Sequence, residues 1–129
     1  MCKGLTRVML VDDDALISEF AMMVLEARGF DVLHCPSGET ALTAAAGFRP
    51  QLVLLDFVMP GMSGAETLAA LQRLAETKAT PVIYLTGRAG SESDVAELTA
   101  AGAIGVIQKP FEPANLVARI TELWRRHVD

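Results

Sequence analysis

The sequence predicts a doubly wound α/β fold, an open sheet of five parallel strands with helices on both faces. Three observations carry that prediction. Short apolar runs and amphipathic stretches alternate five times along the chain. Three of the apolar runs are nearly all apolar rather than alternating, as strands buried on both faces require. No repeat, low-complexity segment or linker-like composition interrupts the 129 residues, a length that suits one domain. Series of this kind wind right-handedly, and their ligands bind beyond the carboxyl ends of the strands.

The elements follow in order. Residues 8–11 form the first strand, and a helix begins at Asp14 or Ala15 with Leu16, Ile17, Phe20, Met23, Val24 and Ala27 on its apolar face. Gly29 ends that helix as the residue after its cap, with Phe30 folding back. Residues 32–35 form the second strand, and a second helix runs from near Ser37 to Gly47. Residues 52–55 form the third strand. The third helix starts at Ser63, where Ser63 and Glu66 have capping-box spacing. Residues 81–85 form the fourth strand, and Ser91 and Asp94 repeat the capping pattern more weakly. After a fifth strand at 104–108, the last helix carries Pro113 in its first turn and an apolar stripe of Leu116, Ile120, Leu123 and Trp124. Arg125, Arg126 and His127 suit its negative C-terminal end.

Composition excludes several function classes. At 51% hydrophobic and 21% charged residues, the chain can bury a core without disulfides or structural metals. Its formal charge of −5 opposes direct binding to nucleic acid or an anionic membrane. Cys2 and Cys35 form no framework, and Cys35 reads as a small buried apolar residue, which fits a reducing cytoplasm. The longest apolar run, residues 20–25, is far shorter than the ~20 residues that span a bilayer, and residues 1–6 lack a secretion signal.

The chemistry lies in the residues that follow the strands. Asp12, Asp13 and Asp14 follow the first, Asp56 the third, Thr86 and Gly87 the fourth, and Lys109 and Pro110 the fifth. Two carboxylates about 4 Å apart repel by roughly 4 kcal/mol at an effective dielectric of about 20, so converging acids call for a cation. Only oxygen ligands are present, which favours Mg²⁺, with Mn²⁺ as its substitute, over zinc. Lys109 offers a point charge for phosphate oxygens, Thr86 a hydroxyl, Gly87 an amide and one carboxylate a nucleophile. That set suits phosphoryl transfer to an aspartate.

These residues resemble the receiver domains of two-component response regulators, of the chemotaxis-regulator type. The likeness extends from Val8 to about His127. Its most specific segment is Leu54-Leu55-Asp56-Phe57-Val58-Met59-Pro60-Gly61-Met62-Ser63-Gly64, similar to the family's strand, phosphoacceptor and MPxMxG loop. Val11-Asp12-Asp13-Asp14, Leu85-Thr86-Gly87 and Gln108-Lys109-Pro110-Phe111 match the other three signatures in order. The resemblance implies a flavodoxin-like (βα)5 fold with strand order 2-1-3-4-5. It makes Asp56 the phosphoacceptor, Asp13 a direct Mg²⁺ ligand, Asp12 a ligand through water, and the Val58 carbonyl a further ligand. Thr86 and Lys109 would bind the phosphoryl group, and the Lys109–Pro110 bond would be cis. The chain would be a single receiver domain, residues 1–129 with its core at about 6–127 and no output domain. It would catalyse only its own phosphorylation and dephosphorylation. Its partners would be a sensor histidine kinase or phosphotransfer protein and a downstream protein or fused output domain, with a homodimer possible on activation.

One departure stands out. Val106 occupies the fifth-strand position where the family often carries Tyr or Phe, so the aromatic rotamer switch cannot operate there. Val58 and Arg88 flank the expected path of attacking water, which predicts slow hydrolysis of the phosphorylated aspartate.

Taken singly, each residue has an ordinary explanation. Asp12, Asp13 and Asp14 suit a strand end and helix cap, Asp56 a turn, Lys109 a solvated loop and Thr86 a strand terminus. Their convergence on one edge argues against all of these together, with Asp14 alone kept as the expected helix cap. His34 and His127 have no ligand spacing, and Met22, Met23 and Trp124 read as core or surface filler. The competing function is a haloacid-dehalogenase-type phosphohydrolase with Asp12 as nucleophile and Asp14 as general acid, which leaves Asp56 unexplained. A flavin or nucleotide binder lacks its loop after the first strand.

Overall fold

The computed structural model describes residues 4–87, 102–109 and 111–128. In chain order they form β1 (Arg7–Val11), α1 (Ala15–Ala27), β2 (Asp31–Cys35), α2 (Gly38–Phe48), β3 (Leu52–Asp56), α3 (Gly64–Arg73), β4 (Val82–Thr86), β5 (Gly105–Gln108) and α4 (Pro113–Val128). The capping pair Ser91 and Asp94, together with Arg88 and Pro110, lies outside the described residues. Every strand predicted from sequence is present, with ends that differ by a residue. Pro81 and Ile104 fall just before their strands, whereas Asp56 and Thr86 are the last residues of theirs.

The sheet is parallel throughout, in the order β2-β1-β3-β4-β5. Chain direction across the sheet reverses between β1 and β3, which opens a crevice at their carboxyl ends. The unbroken apolar runs are explained by burial on both faces. Val8, Leu10, Leu52, Leu54, Ile83, Leu85 and Ile107 face α1 and α4, whose Leu25, Leu116, Ile120 and Leu123 complete that half of the core. Met9, Val11, Val53, Leu55, Val82 and Tyr84 face α2 and α3, with Ala41, Ala45, Leu68 and Leu71. Each fully buried Leu or Ile stabilises the fold by roughly 2 kcal/mol before entropy is counted.

The face of α1 is a correction. Leu16, Phe20, Met23 and Ala27 point outward, with Leu16 79% and Met23 65% exposed, and the residues turned to the sheet are Ser18, Ala21 and Leu25. Ile17 and Val24 lie half-buried at the margin. The helix is apolar on nearly every side, so periodicity alone does not choose a face. Small side chains at 18 and 21 let it lie close to the sheet, and the Ser18 hydroxyl donates to the Asp12 carbonyl at 3.4 Å.

Helix ends obey local rules. Asp14 caps α1, its carboxylate accepting from the Leu16 and Ile17 amides. At the other end Gly29 takes φ +90° and donates to Glu26, while Phe30 donates to Leu25 and is buried. This is the paired pattern that favours glycine after the cap. The α2 helix runs one residue past Gly47, and Arg49 rather than a glycine adopts the left-handed turn. Ser63 and Glu66 form the reciprocal capping box of α3. Gly64 then sits so close to the end of β3 that a Cβ there would lie 2.5 Å from the Asp56 carbonyl oxygen. That approach places the start of α3 directly beside Asp56.

Candidate functional site

The backbone of each site residue is held by the sheet ladder continued one step past the strands. Asp12 N–H donates to Cys35 at 3.1 Å, Phe57 N–H to Leu85 at 3.0 Å and Lys109 N–H to Thr86 at 2.7 Å. Asp12, Asp56, Thr86 and Lys109 therefore share one edge of a rigid scaffold. Asp56 pairs in register with Leu85, so Thr86 follows directly beside it.

At this edge the Lys109 ammonium stands 2.7 Å from Asp12 Oδ2 and 3.5 Å from Asp56 Oδ2. Asp12 is fully buried, Asp56 nearly so, and Asp13 is exposed. Carboxylate oxygens of all three approach within 4.8 Å of one another. One lysine does not neutralise three acids. Burial and the Asp12 charge push the Asp56 carboxyl up to about 6, against the opposing pull of Lys109 and the Val58 amide, which donates to Asp56 Oδ1 at 3.4 Å.

A divalent cation fits this donor set. All the donors are oxygens, the edge carries excess negative charge, and Asp12 Oδ2 has no partner besides the ammonium among the described residues. Asp12 Oδ1 instead accepts from the Asp14 amide at 2.9 Å. Asp14 points away, its carboxylate occupied by the α1 cap, so the paired-acid phosphohydrolase reading finds no support.

The remaining predicted residues are placed as follows. Thr86 is nearly buried, and its carbonyl receives the Lys109 amide. Gly87 faces open space, since a Cβ there would meet nothing within 4 Å. Val58 presents an exposed side chain two residues beyond Asp56. Val106 is half-buried and pairs in register with Tyr84 on β4. The proposed cis bond before Pro110 and the role of Arg88 lie outside the described residues.

Three residues that sequence reasoning set aside or did not name prove to lie at or near the site. His34 Nε2 lies 2.8 Å from the Asp12 carbonyl, and Ser18 reaches the same oxygen. Tyr84 is fully buried with no hydrogen-bond partner for its hydroxyl among the described residues. Its ring meets Phe57, next to Asp56, edge-on at 5.4 Å. The β1–β2 register, pairing Leu10 with His34, is the signal that would have found His34. Beside the acids, Leu16, Ile17, Phe20, Lys109 and Phe111 line a largely apolar groove of about 270 Å³, where Phe20 and Phe111 stack at 6.3 Å. Among the described residues no helix is long and apolar enough to cross a membrane.

Comparison with known proteins agrees with this geometry. Residues 8–121 match the family model of the response regulator receiver domain. The DNA-binding response regulator MtrA of Mycobacterium leprae is 39% identical over 123 residues, 95% of this chain and 53% of the relative. The phosphate regulon transcriptional regulatory protein PhoB of Escherichia coli is 38% identical over 120 residues, 93% of this chain and 52% of the relative. The chain thus spans about half the length of these curated relatives. Among solved structures, the chemotaxis protein CheY4 of Vibrio cholerae superposes with a TM-score of 0.86 at 30% identity, covering 93% of this chain and 99% of its own. A CheY-like receiver domain protein of Methanospirillum hungatei gives 0.82 at 30% identity, covering 97% and 98%.

Proposed function

This chain belongs to the response regulator receiver domain family, and from that membership we propose that Asp56 accepts a phosphoryl group from a phosphohistidine on a sensor kinase or phosphotransfer protein. The observation that carries the reading is a nearly buried carboxylate, 3.5 Å from a lysine ammonium, inside an acidic edge. An Asp56 carboxylate oxygen attacks phosphorus, the phosphorus–nitrogen bond breaks, and the imidazole leaves. The product is an acyl phosphate on Asp56. Lys109 and the Thr86 hydroxyl hold the phosphoryl oxygens, with the Gly87 amide as a further donor.

Asp12, Asp13, Asp56 and the Val58 carbonyl would hold Mg²⁺, or Mn²⁺ in its place. The bound ion supplies positive charge against the acids and the incoming phosphoryl group. On this reading the chain modifies only itself and turns over no other substrate. The exposed apolar residues Leu16 and Phe20 and the groove against Phe111 lie beside Lys109, where the donor protein must dock to reach Asp56.

Added charge at Asp56 then favours one of two conformations and alters the surface formed by β5 and α4. A downstream protein, a fused output domain or a second copy of the chain reads that surface. With Val106 half-buried and no aromatic at that position, the change travels by another route than the ring on β5. Residues 1–129 act as one cytoplasmic receiver unit. Its −5 charge argues against direct nucleic-acid contact by this part, whatever DNA binding belongs to the longer relatives.

The test is intact mass after incubation with a small phosphodonor and Mg²⁺. Wild type and Asp12→Asn gain a phosphoryl group, the latter more slowly, and Asp56→Asn gains none. The reverse pattern would restore the phosphohydrolase reading.

A further inference from the structure

We propose that His34 is a positioning residue for the cation site, an inference that rests on the reading of the acidic edge as a divalent-cation site. The Asp12 carbonyl belongs to the peptide unit that joins Asp12 to Asp13, two of the three acids. The rotation of that unit sets the direction in which both side chains leave the backbone. His34 controls it, because its Nε2 lies 2.8 Å from this carbonyl oxygen. A carbonyl only accepts, so Nε2 carries the proton and donates.

Asp12 is tied from other sides as well. The Asp12 N–H donates to Cys35, the residue next to His34 on β2, at 3.1 Å. The Ser18 hydroxyl donates to the same carbonyl at 3.4 Å, a longer contact that does not replace the histidine. Two consecutive β2 residues therefore clamp Asp12 through its N–H and its carbonyl. Asp12 and Asp13 repel each other and Asp56, and without a restraint the peptide between them turns so as to spread the charges. The hydrogen bond from His34 holds them in converged geometry before any cation arrives. Second-layer hydrogen bonds of this kind govern ligand orientation at metal sites generally. His34 itself is half-buried at the edge of the sheet and takes no part in the hydrophobic clusters, so its substitution leaves the core intact.

The experiment is Mg²⁺ titration of the full chain by calorimetry, with melting in EDTA alongside, for wild type and for His34→Leu, His34→Asn and His34→Gln. Glutamine places an amide N–H near the position of Nε2, asparagine falls short of it, and leucine offers no donor. The proposal expects Mg²⁺ affinity to fall about tenfold in the Leu and Asn variants and to return to within about threefold of wild type in the Gln variant. A purely structural role would lower the EDTA melting temperature and leave affinity unmoved. Wild-type affinity in the Leu or Asn variant, or equal losses in all three, overturns the role of His34 alone. Failure of the wild type to bind Mg²⁺ overturns the cation-site reading, and this proposal with it.

Discussion

Replacing Asp56 by Asn should make the metal-free protein more stable. The Asp56 carboxyl titrates at about 6 rather than the ordinary 3.8, so the fold prefers its protonated form. Below 3.8 both folded and unfolded chains carry the acid neutral, and the side chain imposes no penalty. Between 3.8 and about 6 the unfolded chain loses the proton while the folded chain retains it, so stability declines as pH rises. Above 6 the cost is complete. A gap of this width is worth about 3 kcal/mol at roughly 1.4 kcal/mol per tenfold change in ionisation. An amide is an uncharged stand-in for the protonated acid, and it keeps an oxygen for the Val58 amide. In EDTA at pH 7.5, urea denaturation should therefore place Asp56→Asn about 3 kcal/mol above wild type, or ~10 °C in melting temperature for a chain of this size. The difference should narrow as pH falls through 6 and vanish near 4. Equal or lower stability of the variant at pH 7.5, or a gap independent of pH, would refute the reasoning.

Other substitutions probe separate parts of the same physics. Lys109→Met leaves Asp12 buried without its cation and should cost about 3–5 kcal/mol in EDTA at neutral pH. Because Lys109 holds the Asp56 carboxyl down, the same change should push that group further up, which NMR titration of the Asp56 carboxyl would record. Gly64→Ala drives a Cβ against the Asp56 carbonyl and should destabilise by about 1–3 kcal/mol in urea, with loss of phosphorylation beyond that of the unfolded fraction. Tyr84→Phe removes a buried hydroxyl that has no partner among the described residues while keeping the ring against Phe57. It should stabilise by about 1 kcal/mol, and a loss of similar size would show that the hydroxyl is bonded.

Features governed by local rules were legible in the sequence. Asp14, Ser37 and Ser63 cap the helices they precede, and Gly29 ends α1, because capping depends only on residues a few positions apart. The parallel sheet was legible from apolar runs too continuous for a strand with one wet face. Asp12, Asp56, Thr86 and Lys109 could be gathered on one edge because each directly follows or ends such a run. What failed depends on packing between distant segments. The buried face of α1 was misread because Leu16, Phe20 and Met23 are as apolar as the residues inside, and the choice falls to the close fit of Ser18 and Ala21. His34 was dismissed for want of ligand spacing, whereas its contact with Asp12 is made through the backbone and depends on the β1–β2 register. Tyr84 carries no signal of its own within the fourth strand, and only the sheet sets it beside Val106 and Phe57.

The role of Asp56 is tested by locating the phosphoryl group on the chain. After incubation with a small phosphodonor, borohydride reduction converts a phosphorylated aspartate into a stable product that peptide mapping assigns to one residue. The expected result is a single modification at Asp56 that appears with Mg²⁺ and is absent in EDTA. A modification at Asp12 or Asp13, or none on protein shown to be folded, would contradict it.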